Sequence, residues 1–234
     1  MAKITIVGVL LVLTILVSSQ WLLHQSIFRV QHVSMSGEVH ETSAQILTTA
    51  QLETHPTMIN LSQATVLKRL SVYPWIGGIS LIKRWPNTIQ LAIHEVRAVA
   101  VAFDPRRVLY YVSTDGRKLG AAPATSDLPT LLSVPGSLGA RTWPYRGEES
   151  SGALVASQLP PAFAAQVRQV IVSAQGNVTL QLTTPLRFYL GPATNLAAKF
   201  MAVASAIAHA NFAAGDLVDV TTPSELSVTG PPPS

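Results

Sequence analysis

The chain has 234 residues, a formal net charge of +4 and no cysteine, which excludes disulfides, thiolate catalysis and cysteine-ligated metal. Only 12% of the residues are charged and 48% are apolar, with a mean hydropathy of +0.34, so part of the chain is not ordinary aqueous surface. The basic residues fall in singles and pairs such as Lys68-Arg69 and Lys83-Arg84, without the stripe or run that a nucleic-acid partner requires.

Ile4 to Leu23 is a run of twenty residues without a charge. At the helical rise it spans about 30 Å, the thickness of a bilayer core. Its thirteen Leu, Ile and Val contribute about −5 kcal/mol to insertion at roughly −0.4 kcal/mol each. The pattern predicts a transmembrane helix over 4–23, with 1–3 as a short cytoplasmic end and the bulk of the chain extracytoplasmic. A cleaved signal peptide is the rival reading, because Val17-Ser18-Ser19 loosely imitates a cleavage site. Trp21, suited to the membrane interface, and the continuing Leu22-Leu23 favour a retained anchor.

Residues 24–103 read as a first small domain. A strand around Val33 and Met35 ends at Gly37, with Val30 out of phase as if through a bulge. Thr42 with Gln45 opens one helix, and Asn60 with Gln63 opens a second that Pro74 stops, whose Leu61, Leu67 and Leu70 are expected to bury against Leu81, Leu91 and Ile93. Ile79 and Leu81, then Ile89, Leu91 and Ile93, alternate on either side of Trp85-Pro86. Proline cannot donate to a central ladder, so the interruption predicts a hairpin corner, drawn as a type I turn. The order strand, helix, helix, strand, strand predicts two helices on one face of a three-stranded sheet, an α+β fold.

These residues carry a resemblance. Val33-x-Met35-x-Gly37, Leu70-x-x-x-Pro74-Trp75-Ile76, Lys83-Arg84-Trp85-Pro86-x-Thr88-Ile89 and Glu95-x-x-Ala98-Val99-Ala100 resemble the POTRA domain of the bacterial cell-division family FtsQ/DivIB. Val96 and Ala98 depart from it, where the family commonly has a basic residue and a proline. Pro74, Trp75, Trp85 and Pro86 are its structural signature here.

Residues 104–230 read as a mostly antiparallel β domain with a C-terminal helix, followed by a proline-rich tail at 231–234. Asp115-Gly116 sits where a tight turn between Leu109 to Ser113 and Arg117 to Gly120 needs positive φ angles. Residues 133–152, rich in Gly, Pro and Ser, read as a long loop carrying Trp143 and Tyr145. Three strands in a meander follow. Thr194 then caps a helix with an apolar stripe of Leu196, Phe200, Val203 and Ile207, and Gly215 returns the chain to a strand at 217–220. Gly191, Lys199 and Val218-Asp219-Val220 before Pro223 are similar to the FtsQ β domain.

Six histidines show no metal-ligand spacing, and no nucleophile elbow, phosphate loop or dinucleotide motif occurs, so the chain reads as non-enzymatic, without cofactor or metal. The resemblance implies an inner-membrane scaffold at the division septum that recruits the coiled-coil proteins FtsB (DivIC) and FtsL. A POTRA-bearing component of protein export or envelope assembly is the alternative, although no room remains for an outer-membrane barrel. The final strand, Glu225, Leu226, Ser227, Val228 and Thr229, precedes Gly230 and three prolines and reads as an edge. By resemblance, FtsB would add a strand there.

Overall fold

The computed structural model describes residues 26–133 and 150–230, together with Thr14. The predicted anchor at 4–23 apart from that residue, the loop aromatics Trp143 and Tyr145, and the tail at 231–234 lie outside the described residues. Among those described, no helix is long and apolar enough to cross a membrane. The chain divides into two compact units, one ending at Val96 and the other beginning at Arg97.

The first unit contains β1 (His32–Ser36), α1 (Ser43–Ala50), α2 (Gln63–Leu70), β2 (Ile76–Arg84) and β3 (Thr88–Glu95). The sheet order is β1-β3-β2, with β1 parallel and β2 antiparallel to the central β3. The capping box at α1 forms in both directions, Gln45 N–H donating to Thr42 Oγ1 and Thr42 N–H to Gln45 Oε1. At α2 the cap is Ser62, which accepts from Thr65 N–H, rather than the expected Asn60.

Both helices lie over one face of the sheet. Ile46, Ala50, Val66 and Leu70 from the helices and Ile79, Ile89, Leu91 and Ile93 from the strands are buried together. Leu67 and Leu81, expected in that core, are only partly buried; Val66 occupies the inward position of α2, one residue earlier. Val30 is buried because it precedes the strand, its N–H donating to Pro56 O, and no bulge in β1 is involved. Gly37 has φ +88°, and a Cβ there would collide with Ile93 O, so the turn out of β1 requires glycine.

Trp85-Pro86 does form the corner between β2 and β3, since Arg84 pairs with Thr88. The turn is not the expected type I, because the Trp85–Pro86 peptide is cis. Asn87 O accepts the N–H groups of Gln31 and His32 at 2.8 and 3.3 Å, fastening the corner to the start of β1.

Among the described residues, the strands of the second unit form one nine-stranded sheet. Its strands are β4 (Ala98–Phe103), β5 (Leu109–Ser113), β6 (Lys118–Ala121), β7 (Thr130–Ser133), β8 (Val167–Val172), β9 (Val178–Leu182), β10 (Arg187–Gly191), β11 (Leu217–Asp219) and β12 (Ser227–Thr229). They lie in the order β12-β11-β10-β9-β8-β7-β4-β5-β6. The sequence places β4 in the first domain, ending at 103. It pairs with β5 and β7, which puts the division between the units at Val96 and Arg97. The meander β8-β9-β10 is antiparallel throughout.

Among the described residues, three helices accompany this sheet: α3 (Ser151–Gln158), α4 (Pro161–Ala164) and α5 (Leu196–His209). Residues 151 and 152, loop on the sequence pattern, open α3, which buries Gly152, Ala153, Val155 and Ala156. A run of small residues gave that helix no visible apolar stripe. The N-cap of α5 is Asn195 at φ +52°, not Thr194, and no side chain caps it. Its buried face is Leu196, Lys199, Phe200, Ala202, Val203 and Ala206, with Ile207 partly exposed.

Candidate functional site: a free edge strand

The long sheet ends in β12, whose three residues are all exposed. The expected strand over 225–229 is shorter than predicted. Glu225 N–H donates to Thr222 O at 3.0 Å in a turn, and Leu226 leads from it into the pairing. β12 runs antiparallel to β11 with Leu217 opposite Thr229, Val218 opposite Val228 and Asp219 opposite Ser227.

The hydrogen bonds one strand further in decide which groups face outward. Arg187 N–H donates to Asp216 O and Val220 N–H to Tyr189 O, so residues 216, 218 and 220 direct their backbone groups at β10. Backbone groups alternate along a strand, so Leu217 and Asp219 face β12 and bond to Thr229 and Ser227. The N–H and C=O of Val228 therefore point away from β11. Beside them the side chains of Val228 and Leu226 are 54% and 40% exposed. An edge that presents main-chain groups next to apolar side chains is a template for another strand.

The opposite edge is different in kind. On β6, Lys118 Nζ lies 3.2 Å from Asp104 Oδ2 and 3.4 Å from the centroid of the Tyr110 ring. A lysine on an edge strand discourages pairing. Asp104 is held below the usual carboxylate range, chiefly by the Val108 amide and further by Lys118 and the Arg106 amide.

At the end of β10, the sheet is buttressed by a buried charge. Lys199, 3% exposed on α5, donates from Nζ to Leu190 O at 2.7 Å and Pro192 O at 2.8 Å. Burial pushes its ammonium below the ordinary value, and attraction to Asp219 partly offsets that. Asp219 Oδ1 in turn accepts from Thr221 N–H and Thr221 Oγ1 at 2.8 and 2.6 Å. The sequence placed Lys199 on this helix without a role; a lone lysine among small and apolar residues was the available signal.

The remaining signature residues are apart from this edge. Pro74 and Trp75 lie in the turn from α2 to β2 in the first unit. There Trp75 is buried and its carbonyl accepts Val96 N–H at 2.8 Å. Trp85 is 54% exposed and meets Phe28 edge-on at 5.8 Å, beside Pro86. Asp115 and Gly116 form the β5–β6 turn, where only Gly116 takes a positive φ, +74°; Asp115 instead accepts from Ser113 Oγ and pairs with Arg117. Among the described residues, no three His, Asp or Glu gather as a metal site.

Residues 28–95 match the family described as POTRA domain, FtsQ-type. The chain is 30% identical over 106 residues to the cell division protein DivIB of Geobacillus kaustophilus (strain HTA426), a match covering 44% of this chain. That alignment spans 40% of the curated relative's own length. The strand-helix-helix-strand-strand unit with its Trp-Pro corner lies within the matched region, so the fold of the first unit agrees with its likeness to an FtsQ-type POTRA domain.

Proposed function

We propose that this protein is a non-enzymatic, membrane-anchored scaffold of the bacterial division machinery. Its extracytoplasmic units recruit FtsB/DivIC and FtsL-like partners to the septum, with the edge at Val228 receiving a partner strand. The observation that carries the reading is the outward-facing N–H and C=O of Val228, beside exposed Leu226, in a sheet whose other edge is guarded by Lys118. Likeness to a cell division protein over 106 residues and the uncharged run at 4–23 add to it. The test is to solubilise membranes containing the full chain in mild detergent, capture it and identify what accompanies it. Small coiled-coil membrane proteins of the FtsB/DivIC and FtsL kind are expected. Recovery of export or envelope-assembly components without them would favour the alternative.

A further inference from the structure

The corner of the first unit exposes an apolar and basic cluster that neither sheet uses. A short 3-10 turn, Ser26–Phe28, precedes β1, and in it Ile27 is 55% exposed. Phe28 meets the Trp85 ring edge-on, and Trp85 itself is 54% exposed at the tip of the β2–β3 corner. Basic residues flank both pieces, Arg29 after the turn and Lys83-Arg84 before Trp85. Asn87 O, accepting from Gln31 and His32, holds the two pieces together as one surface.

What covers this surface follows from where the chain comes from. The uncharged run ends at Leu23, three residues before Ser26, a separation of at most about 11 Å even when fully extended. If that run spans the bilayer, Ile27 and Phe28 emerge at headgroup depth, and Trp85 is tied beside them. An indole with a neighbouring aliphatic side chain suits the interface, and Arg29, Lys83 and Arg84 suit anionic headgroups.

We infer that Ile27, Phe28 and Trp85, framed by Arg29, Lys83 and Arg84, form a bilayer-contact surface that seats the first unit on an anionic membrane. This rests on the anchor reading of residues 4–23. The contact restricts the first unit to one orientation at the membrane, where the anchor alone leaves it free to swing. Docking of a protein on the same cluster is the competing occupant, and it leaves no lipid signal.

The four tryptophans of the chain, Trp21, Trp75, Trp85 and Trp143, supply the probe. Full-length variants that keep Trp21, Trp75 or Trp85 alone, with the other tryptophans changed to Phe, are reconstituted into phosphatidylcholine vesicles with or without phosphatidylglycerol. Quenching by lipids brominated at shallow and deep acyl positions is then read. Trp21 reports the anchor, Trp75 is the buried reference, and Trp85 reports the surface. The expected result is quenching of Trp85 several-fold above Trp75, stronger from the shallow position, with blue-shifted emission. It should be larger with phosphatidylglycerol and reduced by Lys83→Glu with Arg84→Glu. Trp85 no more quenched than Trp75 while Trp21 is quenched overturns the contact and leaves the anchor standing. An unquenched Trp21 overturns the anchor and the contact with it. Because the chain has no cysteine, Ile27→Cys carrying an environment-sensitive dye repeats the measurement with all tryptophans in place, should the multiple replacements disturb folding.

Discussion

The His40 imidazole lies flat on the Trp75 indole, ring centroids 3.7 Å apart and planes 5° from parallel. His40 Nδ1 is also 2.6 Å from Glu95 Oε2, and the amides of Val39 and His40 donate to Glu95 Oε1 at 2.7 and 3.0 Å. The end of β3, the loop after β1 and the turn into β2 are thereby joined at one point, just before the first unit ends.

A pH-dependent loss follows for Glu95→Gln. Burial alone raises the Glu95 carboxyl, but the His40 side chain and the His40 and Val39 amides outweigh it and hold the group below its ordinary value of 4.5. A carboxyl depressed in the folded state contributes stability above its unfolded value, and that contribution fades as pH falls through the folded one. The variant should therefore be less stable by about 1 to 3 kcal/mol at neutral pH, with the gap closing below pH 4.5. Urea unfolding at pH 7 and pH 3 reads it; a gap of equal size at both would remove the charge from the account.

Leu91→Ala tests which face of β3 is inward. Leu91 is 1% exposed between the helices and the sheet, and its truncation should cost about 2 to 5 kcal/mol. Gln90 is exposed on the other face, and Gln90→Ala should stay within about 0.5 kcal/mol. Coincident denaturation midpoints for the two variants would contradict the assignment of faces.

At the edge, Val228→Pro and Ser227→Pro should separate. The Val228 N–H faces outward, so proline there removes a donor that a partner strand would use and spares the β11 ladder. The Ser227 N–H faces Asp219, so proline there loosens β12 from its own sheet. Binding titrations with the extracytoplasmic segment of an FtsB/DivIC-type partner should show the Val228 variant folded and weakened. Full affinity of a folded Val228→Pro chain would take this strand out of the interface.

Lys199→Met keeps the aliphatic stem and deletes the ammonium that Leu190 O and Pro192 O share. With that buried donor lost to Leu190 O, and Pro192 O keeping only the Thr194 N–H, stability should fall by about 1 to 3 kcal/mol. Thermal unfolding of the full chain measures it, and an unchanged midpoint would mean that water replaces the ammonium.

The first unit was legible because its signals are local. The Thr42–Gln45 box, the alternation through Ile89, Leu91 and Ile93, and a proline with no ladder to join each specify their own segment. What failed there, Leu67 in place of Val66 and Asn60 in place of Ser62, are errors of one or two positions. In the second unit, α3 was missed because Gly152, Ala153 and Ala156 bury little surface each and pack by smallness, with a Cβ on Gly152 meeting the Val172 side chain. The edge was legible from Gly230 and the prolines after it, but the outward direction of Val228 was not. That depends on β11 lying parallel to β10, a pairing across 30 residues that leaves no local mark.

The parallel pairing of β1 with β3 also fixes how the first unit bears tension. Its chain enters at the His32 end of β1, beside Thr88, and leaves from Glu95 at the far end of β3. A pull on the two ends of the unit thus draws β1 and β3 in opposite directions along their length. Their ladder is loaded in shear, so its hydrogen bonds must yield together, whereas an antiparallel pair pulled from its open end peels one bond at a time. A small domain pulled at both ends gains mechanical resistance from strand direction alone, without a larger core.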